Sequence, residues 1–287
     1  MKVIGITLGD QAGVGPEIIE AALAGFSVPD AIRFEILGRR LDAVTLGQPT
    51  LETAQAALDA LELGAEKLKT GEIDAIVTGP VAKEALHELG FDFPGQTEFF
   101  ADRLACDNHA MCLTGANLTV ALVTIHVPLA QVPILLSTHE IVRVGKLLAQ
   151  FCLQRGIGVP RVAVCGLNPH AGENGAFGRE DIEVVAPAVT QLNLEFPAAE
   201  FSGPHSADTV FGHAVKGEYD AVLCMYHDQG LIPLKLLDFD TGVNTTLGLQ
   251  RPRTSPDHGT AFGIAGKGVA SSSSMEHAIK LACDLVR

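Results

Sequence analysis

Short apolar runs alternate with longer amphipathic stretches along almost the whole chain. Residues 2–7 (KVIGIT) predict a buried strand. The Gly-rich turn Gly9–Gly15 that follows leads into a helix opened by Pro16 and Glu17, because proline is tolerated in a first helical turn. Residues 32–37 (IRFEIL) predict a second strand, and Leu51, Leu58, Leu61, Ala65 and Leu68 fall at helical spacing over 51–69. A strand is expected at 73–78, ending at Gly79-Pro80, with a helix after it. Two apolar runs follow at 110–113 and 118–125, then a helix from about 138 to 154, with Ser137 and Thr138 as candidate caps and Gly156 past its end. The second half keeps the rhythm: a strand at 161–165, helices at about 180–193 and 206–216, a strand at 220–225 and a closing helix at 273–286. Such alternation predicts an α/β protein with a mainly parallel sheet. No fixed-period repeat and no Pro/Ser-rich or charged linker divides the chain, so two domains would have to share the sheet or exchange segments.

Composition narrows the class. A length of 287 residues suits one large domain or two modest ones. With 20 Lys plus Arg against 34 Asp plus Glu, the net charge is 20 − 34 = −14, which argues against nucleic acid or an anionic membrane held by bulk electrostatics. A small anionic ligand needs only a local basic pocket. Hydrophobic residues at 47% supply a sizeable core, but with 5% aromatics and no Trp it must be built from Ala, Val, Leu and Ile. No run approaches the roughly 18 apolar residues of a spanning helix, and the first apolar stretch is too short for a secretory signal. The six cysteines are scattered without a C-x-x-C pair, several inside strand-like runs, as buried free thiols are. The expected compartment is the reducing cytoplasm.

In open α/β sheets the loops beyond the carboxyl ends of the strands build the site. Four polar clusters hold such positions: Thr124–Leu129, Gly166–Glu173, Met225–Gly230 and Arg253–Thr260. His126, His170 and His227 each follow an apolar run closely, and three neutral imidazoles can hold one divalent cation while leaving positions open for substrate. Their separations of 44 and 57 residues require a site assembled by the fold. Histidines at strand ends can also simply bond loop backbone. The Gly9–Glu17 loop matches neither the dinucleotide fingerprint nor a Walker loop and can be no more than a tight strand-to-helix turn. Lys235, Asn244, Arg251 and Arg253 supply the ammonium, guanidinium and amide donors that a phosphate wants.

At these residues the sequence resembles the 4-hydroxythreonine-4-phosphate dehydrogenase (PdxA) family. The stretches that carry the resemblance are GDQAGVGPEI, VTGPVAK, PGQTEFF, TIHVPL, GLNPHAGENGAFGRED, ADTVF, MYHDQGLIPLK, GVNTTLGL and RPRTSPDHGTAFGIAGKG, spread from residue 9 to 268. The resemblance implies an isocitrate/isopropylmalate dehydrogenase-like α/β fold of two domains around an active-site cleft. Residues 1–95 with 250–287 would form the first domain, on the NAD side, and 96–249 the second, with metal, substrate and dimer contacts. It implies NAD-dependent oxidation of 4-phosphooxy-L-threonine to 2-amino-3-oxo-4-phosphooxybutanoate. That product decarboxylates to 3-amino-2-oxopropyl phosphate, in pyridoxal phosphate (vitamin B6) biosynthesis. It implies a cytoplasmic homodimer with its sites at the interface. The metal ligands would be His126, His170 and His227, binding zinc, cobalt or magnesium, with manganese and nickel also open. Substrate contacts would be Gln96, Thr97, Lys235, Asn244 and Arg253. His258, Gly259 and Thr260 would lie near NAD, with NADP left open. Asp208, Asp228 and Lys235 are the candidates for proton transfer or ligand orientation.

The chain departs from the family at Gln96, where the family usually has His, and at Gln11, where Pro is common. The stretch between Leu37 and Leu51 is short, so a segment of the first domain is trimmed. These departures leave room for a related four-carbon sugar-acid phosphate, threonate or erythronate 4-phosphate, as substrate. A metal-dependent hydrolase or aldolase using the same histidines without NAD, and a non-catalytic phosphometabolite-binding protein, are the other readings.

Overall fold

The computed structural model describes residues 1–287. The chain begins with β1 (Lys2–Thr7), α1 (Gly15–Gly25), β2 (Ile32–Leu37), α2 (Leu51–Thr70), β3 (Ala75–Thr78), α3 (Lys83–Glu88) and α4 (Gln96–Arg103). Its middle holds β4 (Ala110–Thr114), β5 (Thr119–Leu122), the single turn α5 (Val132–Leu135), α6 (Thr138–Gln154), β6 (Arg161–Cys165), α7 (Ala186–Glu195), β7 (Glu200–His205), α8 (Ala207–Val215), β8 (Ala221–Cys224) and α9 (His227–Asp238). It closes with β9 (Val243–Leu247), β10 (Arg253–Pro256) and α10 (Ser273–Leu285).

Two compact units result, Met1–Asp107 with Asp240–Arg287, and Asn108–Phe239. In the first, the strands run β2-β1-β3-β10-β9, all parallel except β9 against β10. In the second they run β4-β5-β8-β6-β7, with β4 antiparallel to β5 and the rest parallel. The sheet is mainly parallel, as expected, and the antiparallel pairs β9–β10 and β4–β5 make it mixed.

The unit boundaries lie about ten residues from the expected cuts after 95 and before 250, and the reason is packing. Phe99 and Phe100 of α4 are fully buried in one core with Leu61 and Leu68 of α2 and Ile76 of β3. Arg103 at the end of α4 donates three hydrogen bonds to Glu62, at 2.7–3.1 Å. On the other side β9 is zipped to β10. Gln96, Thr97 and Asn244, expected in the second domain, thus belong to the first unit.

Local chemistry explains the helix ends. Thr50 and Thr53 form a reciprocal capping box at the start of α2. At its end Gly71 takes the left-handed conformation (φ 80°), and Arg251 Nη1 donates to the Leu68 carbonyl at 2.9 Å. Arg251, read from sequence as part of a phosphate-binding stretch, is therefore engaged in closing a helix.

The second core is built around Leu113, Val120, Leu122, Val222 and Leu234, with Cys165 and Cys224 fully buried among them. Burial pushes the Cys152 thiol up to about 12 and that of Cys283 up to about 11, and Cys112 and Cys224 are raised for the same cause. Only Cys106 is not buried. A thiol reagent at pH 8 is expected to titrate one cysteine rapidly in the native protein and all six in guanidinium. Rapid loss of two or more native thiols would contradict this packing.

Candidate active site

The first unit gathers a hydrogen-bonded polar cluster around one arginine. Arg253 opens β10, whose register sets it beside β3 on one side (Arg253 opposite Ile76) and, two residues on, Ser255 opposite Asn244 of β9 on the other. Thr78 ends β3, and Gln96 and Thr97 open α4 after Gly95. Arg253 is 3% exposed. Its Nε and Nη2 both donate to Thr78 Oγ1, at 3.2 and 2.8 Å. Nη2 also donates to Gln96 Oε1 at 3.1 Å, and Nη1 to Asn244 Oδ1 at 3.2 Å. Gln96 returns its Nε2 to the Gly79 carbonyl at 3.3 Å. Thr97 is buried, and its hydroxyl accepts from Thr246 at 3.3 Å. Burial lowers the Arg253 guanidinium to about 10, with the charge of Glu98 opposing the shift. It stays protonated at neutral pH. Of the five expected substrate contacts, Gln96, Thr97, Asn244 and Arg253 lie in this unit, three of them joined by hydrogen bonds, and Lys235 lies in the other unit.

The loop carrying His258, Gly259 and Thr260 packs on the first Gly-rich turn. Val14 N–H donates to the Thr260 carbonyl at 2.9 Å, and a side chain at Gly13 would stand 2.6 Å from that same oxygen. His258 and Gly259 are exposed. Asp10, in the same turn, is 1% exposed; its Oδ1 accepts from Ala12 N–H at 3.0 Å while Oδ2 is buried without a partner.

The second unit holds the histidines. His126 lies on the exposed loop after β5, and His227 is the first residue of α9, with ring centroids 5.6 Å apart. His227 Nδ1 and Asp228 Oδ1 are 2.7 Å apart, a contact that engages one of the two ring nitrogens. His170 stands elsewhere, its ring 6.2 Å from that of Phe177, and no three metal-ligating side chains of the chain meet at one point. The geometry thus brings two of the three expected ligands together.

His170 sits on an unusual backbone. His170, Ala171, Gly172, Glu173 and Asn174 all have positive φ, from 44° to 80°. A left-handed turn of mostly non-glycine residues costs roughly 1–2 kcal/mol per residue. What holds it is Asp181, fully buried, which accepts from Leu167 N–H at 2.6 Å, Asn168 N–H at 3.1 Å and Asn168 Nδ2 at 3.0 Å.

Of the proton-transfer candidates, Asp208 is exposed. The Ser206 hydroxyl, donating at 2.5 Å, holds its carboxyl below the usual range, as does the nearby His170. Asp228 is engaged with His227. Lys235 lies half-buried two turns along α9 from His227.

Sequence reasoning passed over Thr78, Asp181 and Asp10. Thr78 closes a strand like any β-branched residue. Asp181 looked like ordinary helix-entry charge. Asp10 could have been suspected from a carboxylate set between glycines in an otherwise apolar segment.

Two α/β units that combine parallel and antiparallel strand pairs define the fold class. The isocitrate dehydrogenase of Methylococcus capsulatus shares this fold at 17% identity and a TM-score of 0.54, over 99% of this chain and 88% of that one. Within that class the chain belongs to the family of pyridoxal phosphate biosynthetic protein PdxA, whose model matches residues 18–282. The 4-hydroxythreonine-4-phosphate dehydrogenase of Trichlorobacter lovleyi is 41% identical, over 98% of this chain and 97% of that protein. Their alignment runs over 330 positions against 287 residues here, so at least 43 positions have no counterpart in this chain. A crystal structure of the Klebsiella pneumoniae 4-hydroxythreonine-4-phosphate dehydrogenase superposes with a TM-score of 0.82 at 36% identity, covering 100% of both chains.

Proposed function

We propose that this chain is a 4-hydroxythreonine-4-phosphate dehydrogenase. It oxidises the secondary alcohol of 4-phosphooxy-L-threonine with NAD, and the resulting β-keto acid loses CO2 to give 3-amino-2-oxopropyl phosphate on the route to pyridoxal phosphate. The observation that carries this reading is Arg253. It is a buried guanidinium bonded only to neutral oxygens, in a chain of net charge −14, which is the chemistry of a site kept for an anion.

The donor set suits a divalent ion. His126 and His227 present neighbouring imidazoles, and Asp228 orients one of them. His126, His170 and His227 from two protomers would complete the ligand set, which requires a dimer. Support for such a dimer comes from apolar surface in the second unit: Ile134 is 72% exposed, and on and after α9 Leu236 is 82% and Phe239 75% exposed. The unpartnered Asp10 Oδ2 beside the Thr260 loop suits a donor-rich ligand such as the ribose hydroxyls or carboxamide of NAD. When bound, the ion supplies Lewis acidity toward the substrate hydroxyl and NAD accepts the hydride.

The protein's own part is to bind, orient and move a proton. Arg253 and Asn244 hold the anionic end. Asp208, with its carboxyl held low and ionised, is suited to charge stabilisation more than to taking a proton near neutrality. Asp228 steadies His227. Lys235 remains the side chain for the hydroxyl proton. Incubation with 4-phosphooxy-L-threonine, NAD and a divalent ion is expected to produce NADH. Release of phosphate or carbon–carbon cleavage without NADH would favour a non-redox enzyme instead.

A further inference from the structure

We infer that Thr78 is a positioning residue for anion recognition, and that Gln96 serves with it as a support for Arg253 instead of as a direct substrate contact. The inference rests on the reading of Arg253 as the anion site. A guanidinium has five N–H donors. In Arg253 the single Nε–H goes to Thr78, both Nη2 hydrogens go to Thr78 and Gln96, and one Nη1 hydrogen goes to Asn244. One Nη1–H remains. Beside it stand the Nδ2 hydrogens of Asn244, whose Oδ1 is already taken by Arg253.

Thr78 is fully buried, and its one hydroxyl oxygen receives two of the four bonds, fixing the Nε–Nη2 edge against the end of β3. Gln96 is tied at both ends of its amide, by Arg253 and by the Gly79 carbonyl. The acceptors are all neutral, so they hold the fork in place without cancelling its charge. No two-hydrogen edge of the guanidinium is left open. A planar carboxylate therefore cannot take its bidentate pairing. An anion is held instead by the remaining Nη1–H together with the Asn244 amide.

The test is equilibrium binding of inorganic phosphate to the full-length protein without NAD or metal, followed by steady-state kinetics with the phosphorylated substrate. Thr78→Val keeps the shape of the side chain and removes the acceptor. It is expected to weaken phosphate binding and raise KM about tenfold with kcat within about twofold, and Thr78→Ser should restore both. Gln96→Glu puts a carboxylate against the same Nη2 and should weaken phosphate binding more than Thr78→Val does, while thermal stability holds or rises. If Arg253→Ala leaves phosphate binding unchanged, the anion-site reading itself fails. If Arg253→Ala weakens it but Thr78→Val and Gln96→Glu do not, the positioning role is overturned. A kcat loss in Thr78→Val with KM unchanged would also overturn it.

Discussion

Arg253→Ala should raise KM for the phosphorylated substrate by about 10²-fold, because a charge-assisted contact is lost and the groups built to hold it lose their donor. Thr78, Gln96 and Asn244 each lose a partner, and Thr78 is fully buried. Part of the cost will therefore appear as lower thermal stability, which a melting curve measured alongside the kinetics will separate from binding. Affinity for NAD should change little. The His258–Thr260 loop is anchored through Val14, not through Arg253. Equal losses for substrate and NAD would show that Arg253 acts by holding the unit together.

His227→Ala is expected to remove bound metal and turnover together while the fold persists. His227 is the first residue of α9, its side chain is a third exposed, and its polar partner is the exposed Asp228 carboxylate. The helix loses little by its removal, whereas an ion left with two nitrogens is held poorly. Asp228→Asn keeps the ligand but weakens its orientation, so metal affinity should fall about 10–100-fold, as for outer-sphere partners of ligating histidines elsewhere. Metal analysis after dialysis, with circular dichroism as the folding control, reads both effects. Full metal content in His227→Ala would remove this residue from the ligand set.

Much of this was readable before the coordinates. The runs at 2–7, 32–37 and 161–165 are strands with those same bounds; the first and last hold continuous apolar sequence, as buried parallel strands need, and 32–37 is an edge strand buried at Ile32 and Leu37. The helix at 138–154 was marked by its Ser137 cap, which accepts from Glu140 N–H at 3.2 Å. Of the strands, β7, β9 and β10 escaped, as did the helices α4 and α9. VNTTL and RTSP carry hydroxyls, an amide and an arginine inside the sheet, so the same side chains that make the site erase the apolar signal of a strand. The domain boundaries shifted for the same reason, since those strands tie 243–256 to the first unit. Three histidines could be picked out as strand-end residues. The place of His170, apart from the other two, could not be, because its turn is a run of left-handed residues that no local propensity favours. Gln96 was legible as a departure, but its engagement with Arg253 and Gly79 is a tertiary fact.

The most direct measurement offers 4-phosphooxy-L-threonine, threonate 4-phosphate and erythronate 4-phosphate side by side, with NAD and a divalent ion, and follows NADH and CO2 together. The account predicts one NADH and one CO2 per 4-phosphooxy-L-threonine consumed, 3-amino-2-oxopropyl phosphate as product, and a higher kcat/KM than for either sugar-acid phosphate. NADH formed preferentially from threonate or erythronate 4-phosphate, or consumption of substrate without NADH, would contradict it.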